Sequence, residues 1–180
     1  MEQQTLNNLL LKTAFSCMAC DGHIDEKEVA LIKSLSNEKK IFGDIDIVAQ
    51  LDSLLNEINA DGTQFLKNYF NELKAATLSQ KDELNIIRVA IDTINSDDIV
   101  EYSEIKFFKI IRSNLKLSND SILEELPEIE EYLEQDIISN SYLSRLQDDF
   151  FDAHTLPTFE PIHQLNDKLL KNLDDQGNLN

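Results

Sequence analysis

The chain is predicted to fold as an all-α protein. It contains only four Gly and three Pro in 180 residues, and 42% of its residues are hydrophobic, which suits helices joined by short connections. Apolar residues recur at helical spacing through most of residues 1–117. A chain of this length can bury one substantial core. We therefore expect one helical domain, 1–117, followed by an appended region.

The first two predicted helices meet at an acidic corner. Apolar residues recur every three or four positions over residues 6–18, which predicts a helix that ends near Asp21. Asp25 is predicted to cap the second helix, and Glu28 lies three residues later, in the position of a capping box.

The next three helices follow from the same periodicity. The third is predicted after Gly43 and ends at turn residues near Gly62, and the fourth carries an apolar stripe over residues 65–73. Ser79 is predicted to cap the fifth helix, which extends to Ile94.

The connection between the third and fourth helices has some features of an EF-hand loop. Residues 57–68 include Asn59, Asp61 and Gly62, but the twelfth position is Asn68, where an EF-hand needs a bidentate Glu. We interpret the stretch as a helix connection.

A second acidic corner, residues 97–104, precedes a sixth helix, on which Ile105, Phe108 and either Ile110 or Ile111 are predicted to face the core. An offset of 76 residues aligns eleven chemically similar pairs. They are Leu10/Ile86, Leu11/Ile87, Ala14/Ala90, Met18/Ile94, Asp21/Asp97, Ile24/Val100, Asp25/Glu101, Glu28/Glu104, Leu31/Phe107, Ile32/Phe108 and Leu35/Ile111. This predicts a duplicated helix, corner, helix unit whose copies pack about a pseudo-twofold axis.

The acidic corners have two interpretations. Clustered carboxylates suit a hard divalent cation, Ca²⁺, Mg²⁺ or Mn²⁺, but acids at helix starts also act as caps. The capping interpretation fits the second corner less well, because Asp98 lies where the first corner has Gly22, and because Glu101 is a poor N-cap residue. The candidate metal ligands are Asp21, Asp25, Glu28, Asp97, Glu101 and Glu104.

Cys17 and Cys20 are the only cysteines. With His23 they could offer three ligands to Zn²⁺, but a fourth is not evident, and Cys is often a small buried residue on a helix face. We favour core packing and expect no structural disulfide, because a chain of this length does not need one.

Residues 118–180 differ in charge from the residues before them. The chain has a net charge of −18, of which residues 1–117 contribute −6 and residues 118–180 contribute −12. The second region is predicted to be an acidic helical extension with helices capped by Asp120 or Ser121 and opened by Pro127. A proline-containing linker is expected near 153–161, then a last amphipathic helix and a disordered tail.

The charge and the motifs also exclude classes of function. A strongly acidic protein repels nucleic acid and anionic lipid, so a protein partner, particularly a basic one, is more plausible. No apolar run is long enough for a membrane span, and no secretory signal is evident, so a cytoplasmic location is expected. No nucleophile motif or phosphate loop is present, and we expect no enzymatic activity.

At the two corners the chain resembles the TerB-like family, named for tellurite-resistance proteins and related to the N-terminal domain of some membrane-anchored DnaJ-type co-chaperones. The resemblance covers about residues 5–117. It is carried by L-x-x-x-A-F-S-C-M-A-C-D-G-H-I-D-E-K-E-V-A-L-I in the first unit and I-I-R-V-A-I-D-T-I-N-S-D-D-I-V-E-Y-S-E in the second. The departures are Cys20, where the family usually has Ala, and Asp98, where it usually has Gly.

The resemblance implies an all-α fold with pseudo-symmetric halves and the same six acids as a divalent cation site. The leading hypothesis is a non-enzymatic module of a stress or defence system that binds a cation and docks a protein partner. The alternative is an acidic inhibitory or immunity-type protein whose residues 118–180 neutralise a basic partner. A solvated helical layer would explain that acidic region equally well.

Overall fold

The computed structural model describes residues 3–37, 40–96, 100, 102–133, 156–159 and 161. Within these residues the protein is all-α, as the sequence predicts, and contains no strand. The elements are α1 (Gln3–Ala19), α2 (Glu26–Asn37), α3 (Ile47–Asp61), α4 (Thr63–Ala75), α5 (Gln80–Ile94), α6 (Tyr102–Ser113), α7 (Asn119–Glu125), a 3₁₀ turn (Pro127–Ile129) and α8 (Glu130–Leu133).

Helix α1 lies at the centre of the core. Twelve of its 17 residues are buried, so it is enclosed by other helices rather than exposed along one face. It packs most extensively against α5 and also contacts α3, α4 and α6. Within this contact the Tyr69 hydroxyl of α4 donates a hydrogen bond to Thr13 Oγ1 of α1 at 3.0 Å. The Thr13 hydroxyl donates in turn to the Leu9 carbonyl at 2.8 Å.

Aromatic rings fill the space between α1, α4 and α6. Phe15 and Phe65 meet edge to face, with their ring centroids 5.6 Å apart. Phe107 lies 4.9 Å from Phe70 and 6.2 Å from Tyr69, measured between ring centroids. These contacts join the two predicted units, because Phe65, Tyr69 and Phe70 belong to α4, one of the two helices between them.

The helix bounds agree with the 76-residue offset. Shifted by that offset, α2 covers residues 102–113, which are the bounds of α6. Ala14 and Ala90 are both fully buried, but Ile24 is 5% exposed and its predicted equivalent, Val100, is 37% exposed. The two units therefore share their helix positions and part of their core pattern, and their pseudo-twofold packing stays a prediction.

The sixth helix buries a wider face than predicted. Phe107 is fully buried, both Ile110 and Ile111 are buried, and Ile105 is only partly buried. The prediction gives Ile110 and Ile111 as alternatives, because a helix that packs on one side only would bury one of the two. Because α6 contacts α1, α5 and α8, neighbouring side chains on several sides of it reach the core.

Two predicted helix starts after residue 117 were wrong. The cap of α7 is Ser118, whose hydroxyl oxygen accepts a hydrogen bond from Ser121 N at 3.2 Å, rather than Asp120 or Ser121 itself. Pro127 begins a 3₁₀ turn, and the α-helical bonding starts only at Glu130. The sequence also predicts a helix over residues 142–151. This helix, the last amphipathic helix and the tail lie outside the described residues.

Apolar residues after residue 117 join the same core as the helices before it. The buried members are Ile122, Leu126, Ile129, Leu133 and Phe159. The proposed boundary at 117/118 therefore separates regions of different charge that share one hydrophobic core.

A buried carboxylate holds the connection that follows α6. Glu83 is 5% exposed, and its Oε2 accepts hydrogen bonds from Lys116 N at 2.8 Å and Leu117 N at 2.6 Å. In the first unit, the equivalent position in α1 is Asn7, and its side-chain amide packs so closely on Gly43 that a Cβ there would overlap it. In each unit, a buried polar side chain of the first helix therefore contacts the chain that follows the second helix.

Replacement of Glu83 by Ala is expected to lower the free energy of unfolding by about 2–4 kcal/mol, because two N–H groups would lose their acceptor. Glu83→Gln keeps an oxygen acceptor and should cost less. Urea denaturation followed by circular dichroism would measure both changes. Glu124→Gln, at an exposed acid, is the control and should change little; an equal loss for Glu83→Ala and the control would contradict this role.

Candidate functional site

The carboxylates of the first acidic corner accept hydrogen bonds from its backbone. Asp21 Oδ1 accepts from His23 N at 2.8 Å. Asp25 Oδ1 accepts from Lys27 N at 2.7 Å, and Glu28 Oε2 accepts from Asp25 N at 2.8 Å. Asp25 and Glu28 therefore satisfy N–H groups at the start of α2, as the capping interpretation predicts.

Gly22 gives the first corner its shape. Its φ of +89° is a conformation that side chains with a Cβ rarely adopt. A Cβ at Gly22 would also lie 3.0 Å from Pro157 Cδ. The first corner is therefore covered in part by residues from the end of the chain.

The second corner is described only in part, because Asp97 and Glu101 lie outside the described residues. Glu104 is 6% exposed and Glu28 is 5% exposed, so both glutamates of the repeat are buried. Burial raises the pKa of the Cys17 thiol, and the negative charges of Glu104 and Glu28 raise it further. One glutamate from each corner thus acts electrostatically on the same thiol.

The described residues do not by themselves assemble a metal site. Among them, no group of three or more His, Cys, Asp or Glu side chains has an arrangement that could hold a metal ion. The full six-residue site includes Asp97 and Glu101, which are outside that part of the chain. Cation binding at the corners therefore stays a prediction.

Cys17 and Cys20 are free thiols in the core, and both are fully buried. Burial is the main cause that raises the pKa of each thiol. His23, by contrast, is exposed. This geometry agrees with the interpretation of both cysteines as core residues and makes them poor nucleophiles.

Helices α7 and α8 with the 3₁₀ turn between them form an acidic outer layer, residues 118–133. Their apolar side chains enter the core, and their six acidic side chains are all exposed. These are Asp120, Glu124, Glu125, Glu128, Glu130 and Glu131. The sequence of this layer contains no Lys or Arg.

Specific contacts fix the acidic outer layer on α5 and α6. The Tyr132 hydroxyl donates to Asn95 Oδ1 at 2.7 Å, and its ring meets Phe108 edge to face at 6.0 Å. Arg112 Nη2 donates to Asn119 Oδ1 at 2.7 Å. The acids are therefore presented from a backbone that is held at both ends.

A short segment from the end of the chain, Leu156–Phe159, packs beside the first corner without helical structure. Phe159 is 8% exposed and belongs to the core. Phe159 N donates to Asn59 Oδ1 at 2.8 Å, and Asn59 Nδ2 donates to the Phe159 carbonyl at 3.2 Å. We call these four residues the docked segment.

A cleft of about 880 Å³ lies between α1, α3 and α4. Lys12, in its wall, donates from Nζ to Glu72 Oε1 at 2.7 Å and lies 5.1 Å above the centroid of the Phe65 ring. Leu9 and Leu54 supply apolar lining. The Lys12 and Glu72 charges neutralise each other, and Glu57 leaves the lining of the cleft with a negative charge.

The sequence pattern does not predict the roles of several of these residues. It places Asn59 among the turn residues that end the third helix, and it assigns no role to Glu83. The partner of Asn59 is 100 positions away and the partners of Glu83 are 33 and 34 positions away. A local pattern contains no signal for such contacts, although Glu83 could have been noticed as an acid beside the apolar stripe of α5.

The free energy of unfolding is expected to fall as the pH rises above about 9, because the pKa values of Cys17 and Cys20 are raised in the folded protein. Their ordinary value is 9.0. Below this value both thiols are protonated in the folded and in the unfolded protein, and their contribution to the free energy of unfolding is fully present. Above it the unfolded chain loses its thiol protons first, which favours unfolding. Urea denaturation between about pH 7 and pH 10 would measure this, under reducing conditions.

The matched control for that decline is Cys17→Ala/Cys20→Ala, which removes both thiols from the core. Its stability should decline less steeply than that of the wild type above about pH 9. The same slope in both proteins would show that the thiols do not cause the decline.

Comparison of the chain with protein-family models, curated proteins and solved structures found no match in any of the three. The TerB-like resemblance therefore stays a prediction from the residues of the two corners.

Proposed function

We propose that this protein is a non-enzymatic interaction module that binds a basic protein partner through its acidic outer layer. The proposal rests on one observation. The acidic outer layer, residues 118–133, is a short ordered segment with six exposed acidic side chains and no basic residue. Such a surface attracts a positively charged partner and guides its approach. The role in stress or defence is an expectation from the family resemblance.

The way in which the layer is held supports a binding role over a merely solvated surface. Asn119 and Tyr132 tie its two ends to Arg112 and Asn95. A fixed array of charges loses less conformational entropy on binding than charges on a mobile segment. In the described part of the chain, no helix has the length and hydrophobicity to span a membrane.

Neutralising the layer is expected to weaken binding to a basic probe, a lysine-rich helical peptide, about tenfold at low salt. The variant is Glu124→Gln/Glu128→Gln/Glu131→Gln. Fluorescence anisotropy at several salt concentrations would measure the affinity and its salt dependence, which should also become weaker.

The matched control removes the same charge elsewhere, with Asp44→Asn/Glu57→Gln/Asp61→Asn. All three control positions are exposed acids outside the layer. The control should keep most of the wild-type affinity. Equal losses in the two triple variants would mean that only the net charge matters, and the layer would not be a binding site.

A divalent cation at the two corners is a second candidate function. The observation that favours it is that Glu28 and Glu104, which come from different corners, are both buried and both raise the pKa of the Cys17 thiol. Carboxylate oxygens are the ligands that hard divalent cations such as Ca²⁺ prefer. Its proposed ligands are Asp21, Asp25, Glu28, Asp97, Glu101 and Glu104.

Ca²⁺ or Mn²⁺ is then expected to raise the melting temperature of the chelator-treated protein, because a ligand of the folded state stabilises it. Asp25→Asn keeps an N-cap residue but removes a charge. It should melt like the wild type without metal and lose the metal-dependent shift. No shift in the wild type at millimolar metal would leave the corner acids as helix caps.

A further inference from the structure

The docked segment, Leu156–Phe159, has the properties of a bound peptide ligand. Proline fixes φ near −65° and restricts the preceding residue to extended conformations. Leu156 and Pro157 are therefore close to an extended shape before they dock, which lowers the entropy lost on binding. Leu156 and Phe159 supply the apolar contacts, since Leu156 packs against the core and Phe159 belongs to it.

Asn59 recognises the backbone of the docked segment. Its side-chain amide accepts from Phe159 N and donates to the Phe159 carbonyl. These two bonds replace the pair that a neighbouring strand would make with an extended residue. They depend on backbone geometry and not on the identity of the residue, so they would hold an extended peptide from any chain.

Gly22 forms the other contact point. Pro157 lies so close to it that a Cβ would be 3.0 Å from Pro157 Cδ. A Cβ at this position would force the proline ring to move by a few tenths of an ångström, so Gly22 leaves the space open to it. Extended residues advance about 3.3–3.6 Å each, so Gly22 and Asn59 contact positions on the segment about 7 Å apart.

We propose that the surface between Gly22 and Asn59 is a docking site for an extended peptide with the pattern Leu-Pro-x-Phe in a protein partner. The chain's own docked segment occupies this site and competes with the partner. The proposal concerns a different surface from the acidic outer layer and does not rest on it.

The described contacts suggest that the occupant can be exchanged. Every contact of the docked segment named above is made by four consecutive residues, so a partner peptide of the same pattern can reproduce them all. An attached ligand competes at an effective concentration on the order of millimolar. A partner peptide must therefore bind tightly, or its protein must also bind elsewhere on this chain. The docked segment thus prevents weakly binding peptides from occupying the site.

The test uses the full chain and a fluorescent peptide of residues 153–161, with Phe159→Ala in the protein to weaken the resident segment. Saturable binding of the peptide to Phe159→Ala is expected, and binding to the wild type should be at least about tenfold weaker because its site is occupied. A peptide that has Ala in place of the Phe is the ligand control and should not bind.

Asn59→Asp is the matched change in the site. It keeps the shape and the acceptor of Asn59 but loses the N–H donor and places a negative charge beside the Phe159 carbonyl. Phe159→Ala/Asn59→Asp should bind the peptide at least about tenfold more weakly than Phe159→Ala. Equal binding to the two variants, or no binding to a folded Phe159→Ala, would overturn the proposal.

Hydrogen exchange of the wild type gives a test that does not depend on the folding of a variant. Asn59 protects the Phe159 amide, and the peptide added at millimolar concentration should increase its exchange by displacing the resident segment. If hydrogen exchange of this amide is unchanged at saturating peptide, the peptide does not displace the resident segment, and the proposal is refuted.

The oligomeric state gives a further test. If the wild type dimerises and Asn59→Asp abolishes the dimer, a second copy supplies the segment, which also supports docking from another chain.

Discussion

The burial of α1 on nearly all sides is the constraint on which the rest of the structure depends. A helix with 12 of 17 residues buried must be surrounded by other helices, because each exposed apolar side chain would cost about 1.5–3 kcal/mol. Helix α5 covers one side of it, and α3, α4 and α6 contact it elsewhere. The Tyr69 to Thr13 hydrogen bond satisfies polar groups inside that contact and fixes how α4 lies on α1.

This central packing also determines what the acidic corners can do. The corners follow α1 and α5, and the buried Glu28 and Glu104 both raise the pKa of the Cys17 thiol in α1. Both glutamates are therefore held at the edge of the core, where Coulomb interactions are less screened than in water. The backbone N–H of Asp25 satisfies one oxygen of Glu28, so capping and any cation would draw on the same carboxylate.

The chain beyond residue 117 contacts both halves of the helical body. Tyr132 of the acidic outer layer bonds to Asn95, directly before the second corner, and Pro157 of the docked segment packs on Gly22 in the first. Charge and structure thus divide the chain differently. The −12 of residues 118–180 marks a compositional boundary, but the apolar residues of the layer and Phe159 share one core with α1.

Local patterns in the sequence are enough to predict the all-α class, the six helices of residues 1–117, the caps at Asp25 and Ser79, and the buried state of Cys17 and Cys20. These depend on local periodicity and on bonds between residues two to four positions apart, which a local pattern records. Packing between helices, in contrast, determines that Glu83 holds the chain after α6, that Phe107 is buried and that Asn59 holds Phe159. Those contacts join residues 33 to 100 positions apart or depend on which helices surround a side chain, and no spacing within one helix encodes them.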